Sequence, residues 1–161
     1  MKSTDRLLSA QRYAFLLLKF RPRSEKEMRD RLGRKDFSKG IIEKTVQALI
    51  SKKFIDDRLF AEAWIDYRIN KSFGFRKVRR ELRGKGIPGR IIEECLARIQ
   101  KDYSEETVVE RSAREKIGKL KGIDGIKAKN RVYAYLLRRG FTPSVVIEVM
   151  NRLMGETGRG E

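Results

Sequence analysis

The chain has no histidine, one cysteine and three prolines in 161 residues. Each scarcity removes something. Without histidine there is no Ser-His or Cys-His nucleophile, and with one cysteine besides, the usual zinc sites are excluded. Cys95 alone cannot form an internal disulfide. Strict alternation occurs only in short stretches, so an all-β reading is poor. Apolar runs such as Phe15 to Leu18 and Tyr133 to Leu137 fall far short of the roughly 20 residues of a membrane span. No signal peptide is visible, since Gln11 and Arg12 soon interrupt Leu7 and Leu8. A cytoplasmic location away from membranes is expected.

Acidic residues are scarce beside basic ones, 22 against 39, which leaves a net charge of +17. Such an excess speaks of partners, not of fold. Nucleic acid comes first, then an acidic protein surface, then an anionic membrane. Apolar residues make up 40% and charged residues 38%. That is too apolar for a disordered chain and too charged for one thick core. Many amphipathic helices around small cores fit both numbers.

A repeat runs through the chain. Segments 28–49, 78–99 and 132–153 align with apolar residues in every matched column. Met28, Val78 and Val132 correspond, as do Leu32, Leu82 and Leu136. Phe37, Ile87 and Phe141 follow, then Ile42, Ile92 and Val146, and later Leu49, Ile99 and Leu153. Each unit reads as two helices around a tight turn. The turns carry Asp36, Gly86 and Gly140, where a left-handed residue closes a helix. Ser38 and Thr142 are good N-caps for the helix that follows. Pro88 cannot cap in that way, so the middle turn is expected to differ slightly. A further helix precedes each pair, roughly 4–19, 58–71 and from Ser104 onward. Ser24 to Glu27 is a capping box. The expectation is an all-α chain of three tandem three-helix, helix-turn-helix-like repeats in an elongated, curved arrangement. Their expected bounds are 1–56, 57–103 and 104–161. Each module closes its own core, so a monomer is expected.

The segment "FGFRKVRRELRGKGIPGRII" (73–92) crowds Arg76, Lys77, Arg79, Arg80, Arg83, Lys85 and Arg90 around a single acid, Glu81. On a helix, Phe75, Val78 and Leu82 share one side. Arg76, Arg79, Arg80 and Arg83 share a stripe about 115° away. A mixed-charge solvated face looks different. The repeat-equivalent positions are Lys26, Arg29, Asp30 and Gly33 in the first unit, and Asn130, Tyr133, Ala134 and Leu137 in the third. The repeated fold therefore does not need the stripe. Anion binding is the reading favoured over a merely solvated face. Residues 127–139 hold five bases and no acid, which makes Lys127, Lys129 and Arg131 a second candidate contact with a phosphate backbone. Cys95 and Trp64 sit at core spacings. Asp56 and Asp57 read as a helix start, not a metal site. A metal-dependent nuclease fits poorly, because the carboxylates serve as helix starts or surface pairs.

"RPRSEKEMRDRL" (21–32), "KKFIDDRLFAEAW" (52–64) and "FGFRKVRRELRGKGI" (73–87) resemble the hallmark blocks of the RecX regulatory family, in the right order and spacing. The departures are Lys53 and Asp36, where the family often has glycine. The resemblance implies tandem three-helix repeats and a non-enzymatic modulator of the RecA recombinase in DNA repair. It implies binding to RecA and to its filament on single-stranded DNA. Inhibition of strand exchange, ATP hydrolysis and the SOS-related cleavage of repressors would follow. It implies no catalytic residue, metal or cofactor. The rival is a helix-turn-helix protein reading duplex DNA in the major groove.

Overall fold

The structure, a computed structural model, describes residues 3–157. These residues form nine α-helices and no strand. They are α1 (Ser3–Phe20), α2 (Glu25–Gly33), α3 (Lys39–Ser51), α4 (Asp57–Asn70), α5 (Phe75–Gly84), α6 (Gly89–Gln100), α7 (Glu105–Gly118), α8 (Gly125–Arg138) and α9 (Pro143–Thr157). The helices fall into three triplets, as the repeat requires.

Local chemistry sets the starts. The Ser24 hydroxyl accepts the Glu27 N–H, and the Glu27 carboxylate accepts the Ser24 N–H, both at 3.2 Å. This is the capping box. Ser38 and Ser104 cap α3 and α7 by accepting the N–H groups of Ile41 and Thr107. Asp56 caps α4, accepting from Arg58 and Leu59 at 3.0 Å each. Asp57 reaches back to α2 and accepts the Glu25 N–H at 2.9 Å. Burial pushes the Asp57 carboxyl above its ordinary range despite that bond. Both acids are thus committed to helix N-termini.

The turn inside each triplet is one structure used three times. The N–H groups of Phe37, Ile87 and Phe141 donate to the carbonyls of Leu32, Leu82 and Leu136 at 3.5, 3.1 and 3.4 Å. Asp36, Gly86 and Gly140 hold φ values of 59, 77 and 90°. The carbonyls of Ser38, Pro88 and Thr142 then accept the first bond of the next helix, at 2.9, 3.1 and 3.0 Å. The expected peculiarity at Pro88 does not reach these bonds. The position has to supply a carbonyl, which proline has; what Pro88 lacks is a capping side chain.

The chain divides into two compact units. The first holds the chain up to Ala63 together with Leu82–Cys95. Its α1, α2 and α3 pack on one another around Ala10, Ala14, Leu17, Met28, Leu32, Val46, Leu49 and Ile55. The second holds Trp64–Glu81 and the chain from Leu96 onward. There α7, α8 and α9 enclose Val109, Ala113, Val132, Leu136, Phe141, Val146, Val149, Met150 and Leu153. Leu32, Leu82 and Leu136, equivalent in the repeat, are all fully buried. Each such leucine contributes about 1.5–3 kcal/mol. Cys95 is buried as a free thiol.

The same joint occurs once in each unit. In the first, the N-terminus of α2 meets the turn after α5: Ser24 Oγ donates to the Lys85 carbonyl at 2.6 Å, and Lys85 Nζ donates to Glu27 at 2.8 Å. In the second, the N-terminus of α5 meets the turn after α8. The Gly74 N–H donates to the Arg139 carbonyl at 2.8 Å, and the Arg76 N–H to the Gly140 carbonyl at 3.2 Å. Gly74 is the repeat equivalent of Ser24, and Arg139 of Lys85.

Candidate nucleic-acid interface

Helix α5 turns Phe75, Val78 and Leu82 inward, with Phe75 8% exposed and the other two at 0%. The opposite requirement then falls on its arginines. Arg76, Arg80 and Arg83 are exposed and Arg79 is half-buried. No ion pair among the described residues engages Arg76, Arg80 or Arg83. Glu81, the one acid on α5, does not neutralise them. Its carboxylate accepts the Trp64 indole N–H at 3.0 Å and Arg68 Nε at 2.7 Å, with a further bond to Arg68 Nη2. Trp64 is half-buried and tied to that carboxylate. It is not an open stacking platform.

The equivalent face of α2 is self-neutralised. Lys26 pairs with Asp30 at 2.8 Å, and Arg29 pairs with Glu25 and with Glu43. The two helices occupy the same place in their modules, so the contrast isolates the charge from the fold. On α5, by contrast, Arg76, Arg80 and Arg83 stay exposed and outside any ion pair among the described residues.

The remaining basic candidates divide. Lys85 is held inside its unit by Glu27 and by the bond its carbonyl accepts from Ser24. Lys77 is half-buried, lies 4.6 Å from the Phe73 ring centroid, and abuts Gly140 through its backbone and Cβ. Both support joints more than they face solvent. On α8, Lys127 and Arg131 are exposed and share a stripe with Ala134 and Arg138. Lys129 is half-buried and lies roughly 160° round the helix from both. The structure therefore brings Lys127 and Arg131 together and leaves Lys129 aside.

Two features escape the sequence reading. A groove of about 390 Å³ is lined by Lys116, Leu120, Asn130, Arg131, Ala134 and Arg138, three cations and no acid. Lys116 comes from α7, so only the packing of α7 on α8 reveals its place beside Arg131. Arg68 and Arg139 also each lie 3.9 Å from the centroid of Phe73. Arg139 in addition donates to the carbonyls of Ser72, at 3.1 Å, and Lys71. Phe73 is thereby occupied by the chain's own cations.

Tandem three-helix modules, one of them with a cationic face on its middle helix, define an all-α helical-repeat protein. Comparison with known proteins makes this particular. Three domains match in succession: the RecX first three-helix domain over residues 10–49, the second over 56–96 and the third over 105–150. The regulatory protein RecX of Chlorobium phaeobacteroides (strain BS1) is 38% identical over 141 residues, covering 87% of this chain and 90% of that protein. That of Mycobacterium sp. (strain KMS) is 31% identical over 156 residues, covering 93% and 85%. The crystal structure of RecX from Lactobacillus salivarius superposes with a TM-score of 0.77 at 21% identity, covering 93% of this chain and 97% of that one; it supports the fold. The chain belongs to the RecX family of regulatory proteins. Among the described residues no helix is long and apolar enough to cross a membrane.

Proposed function

We propose that this chain regulates the RecA recombinase without catalysing a reaction itself. It binds RecA and the filament that RecA forms on single-stranded DNA, in the cytoplasm and as a monomer. It lowers strand exchange, ATP hydrolysis and filament-dependent repressor cleavage. Membership of the RecX family supports the choice of partner. The observation that carries the contact is the exposed α5 stripe of Arg76, Arg80 and Arg83, with the half-buried Arg79 among them, set against an α2 whose equivalent cations Lys26 and Arg29 are paired internally. Lys127 and Arg131, with Arg138 and Lys116, extend the reading to α8 and α7. Phosphate contacts of this kind position a protein on a backbone without selecting sequence.

The test is a pull-down with RecA alone and with RecA assembled on single-stranded DNA, alongside RecA's DNA-dependent ATP hydrolysis. The expected result is capture of the filament and a dose-dependent fall in hydrolysis, with no hydrolysis by the chain alone. Unchanged turnover over a wide concentration range, with no capture, sinks the reading. A single strongly preferred duplex site in a binding selection would favour the helix-turn-helix alternative instead.

A further inference from the structure

Helix α1 carries apolar side chains on two sides. Ala10, Ala14 and Leu17 are buried in the first module's core. On the other side Leu8, Arg12, Phe15, Leu16 and Lys19 recur at helical spacing. Leu8 is 48% exposed, Phe15 45% and Leu16 52%. Phe54, which follows α3, is 51% exposed and sets its ring edge-to-face against Phe15, with centroids 5.1 Å apart. Four large apolar side chains at half exposure on one module are more than scattered surface residues.

A cavity of about 50 Å³ opens between α1 and α3 beside this patch, with Gln11, Phe15, Thr45 and Lys52 in its lining. Thr45 is fully buried, and its hydroxyl has no hydrogen-bond partner among the described residues. A buried hydroxyl ordinarily has one. Around the patch stand Arg12, Lys19, Lys52 and Lys53, all exposed. Asp5, at the start of α1, is the one acid on that helix.

We infer that the α1–α3 face of the first module docks a protein surface with an apolar centre and an acidic rim. Resting on the function proposed above, that surface belongs to RecA. The side chains favour protein over nucleic acid. Leu8 and Leu16 have no face on which a base can stack, but they pack well against apolar side chains. Phe15 and Phe54 already engage each other. The basic rim steers an acidic partner and fixes its register. Binding then divides between a protein-facing surface on α1 and α3 and phosphate-facing surfaces on α5 and α8.

The test uses the whole chain with Leu8→Gln and Leu16→Gln together; both sites are exposed, and glutamine is a good helix former. A second variant, Arg12→Glu with Lys19→Glu, reverses the rim. Affinity is measured for RecA assembled on single-stranded DNA and, separately, for the naked strand. The leucine variant should bind the filament roughly 30-fold more weakly, with naked-strand affinity and circular dichroism unchanged. The rim variant should also lose filament affinity, less so at high salt. Wild-type filament affinity in both variants overturns the docking surface and leaves the RecA reading standing. Equal loss on the naked strand by the leucine variant overturns it too, by showing that the face meets nucleic acid. A wild-type dimer dispersed by the leucine variant assigns the face to a second copy and overturns it. No filament binding by the wild type defeats both readings.

Discussion

The Gly74 N–H donates to the carbonyl of Arg139 at 2.8 Å, and a Cβ at Gly74 would lie 2.3 Å from the Gly140 carbonyl carbon. Only glycine allows α5 to approach the turn after α8 this closely. The joint repeats at Ser24 and Lys85, but there a hydroxyl, not a backbone N–H, makes the bond. One joint thus needs a side chain and the other forbids it.

Gly74→Ala should therefore destabilise the second unit by about 1–3 kcal/mol, because the obstructing atoms are backbone and cannot rotate away. Gly84→Ala is the control: nothing lies within 4 Å of a Cβ there. It should be neutral or slightly stabilising. Urea unfolding of both variants checks this. Equal midpoints would mean the joint is loose.

The Glu27 carboxylate makes stability depend on pH. Burial alone would raise its pKa, but bonds from Arg21, Lys85 and the Ser24 N–H outweigh burial and hold it at about 2, against an ordinary 4.5. A depressed carboxylate stabilises the fold fully above its unfolded pKa. That contribution fades as pH falls from 4.5 towards 2. Allowing for solvent screening, it amounts to about 1–2 kcal/mol. Glu27→Gln keeps an acceptor for the Ser24 N–H while removing the charge. The variant should be less stable than wild type at pH 7, and the gap should close on acidification to pH 2. A gap that is constant with pH would refute the assignment.

Lys53 has a φ of 59°, in the left-handed region where a side chain is strained. It is exposed and makes its turn through backbone bonds, its N–H donating to Ile50 at 2.9 Å. Lys53→Gly should raise stability by about 0.5–1 kcal/mol, the relieved strain outweighing glycine's extra freedom in the unfolded chain. A rise of a few degrees in thermal midpoint is the expected result, and a fall would show that the lysine stem contributes packing.

Most of the fold was legible because it repeats. Leu32, Leu82 and Leu136 identify one another by offset and are all fully buried. Ser24, Ser38 and Ser104 announce helix starts by local chemistry alone. The α5 stripe was legible because helix periodicity places Arg76, Arg80 and Arg83 without any tertiary knowledge. What lay outside reach depends on which helix meets which. Lys77 and Lys85 read as further contacts beside the stripe until their packing partners Gly140 and Glu27 are known. Lys116 joins Arg131 only through the packing of α7 on α8. Helical spacing groups Leu17 with Ala10 and Ala14, and Leu17 is 5% exposed, but spacing does not tell whether anything covers the other side of α1, where Leu16 is 52% exposed.

Salt dependence separates phosphate binding by α5 from a merely solvated face. Arg79 is half-buried, so the cleanest variant changes only the exposed Arg76, Arg80 and Arg83 to glutamine. The helix should persist, since Phe75, Val78 and Leu82 are untouched. If each arginine neutralises one phosphate of a single strand, the slope of log affinity against log salt should flatten by about 2. The loss should be similar across sequences, because phosphates carry no base identity. Anisotropy titrations over a range of salt, with poly-pyrimidine and mixed strands, measure both quantities. A variant with the wild-type slope and affinity would remove α5 from the interface. Lys127→Gln, Arg131→Gln and Arg138→Gln, along the α8 stripe, should then carry the loss instead.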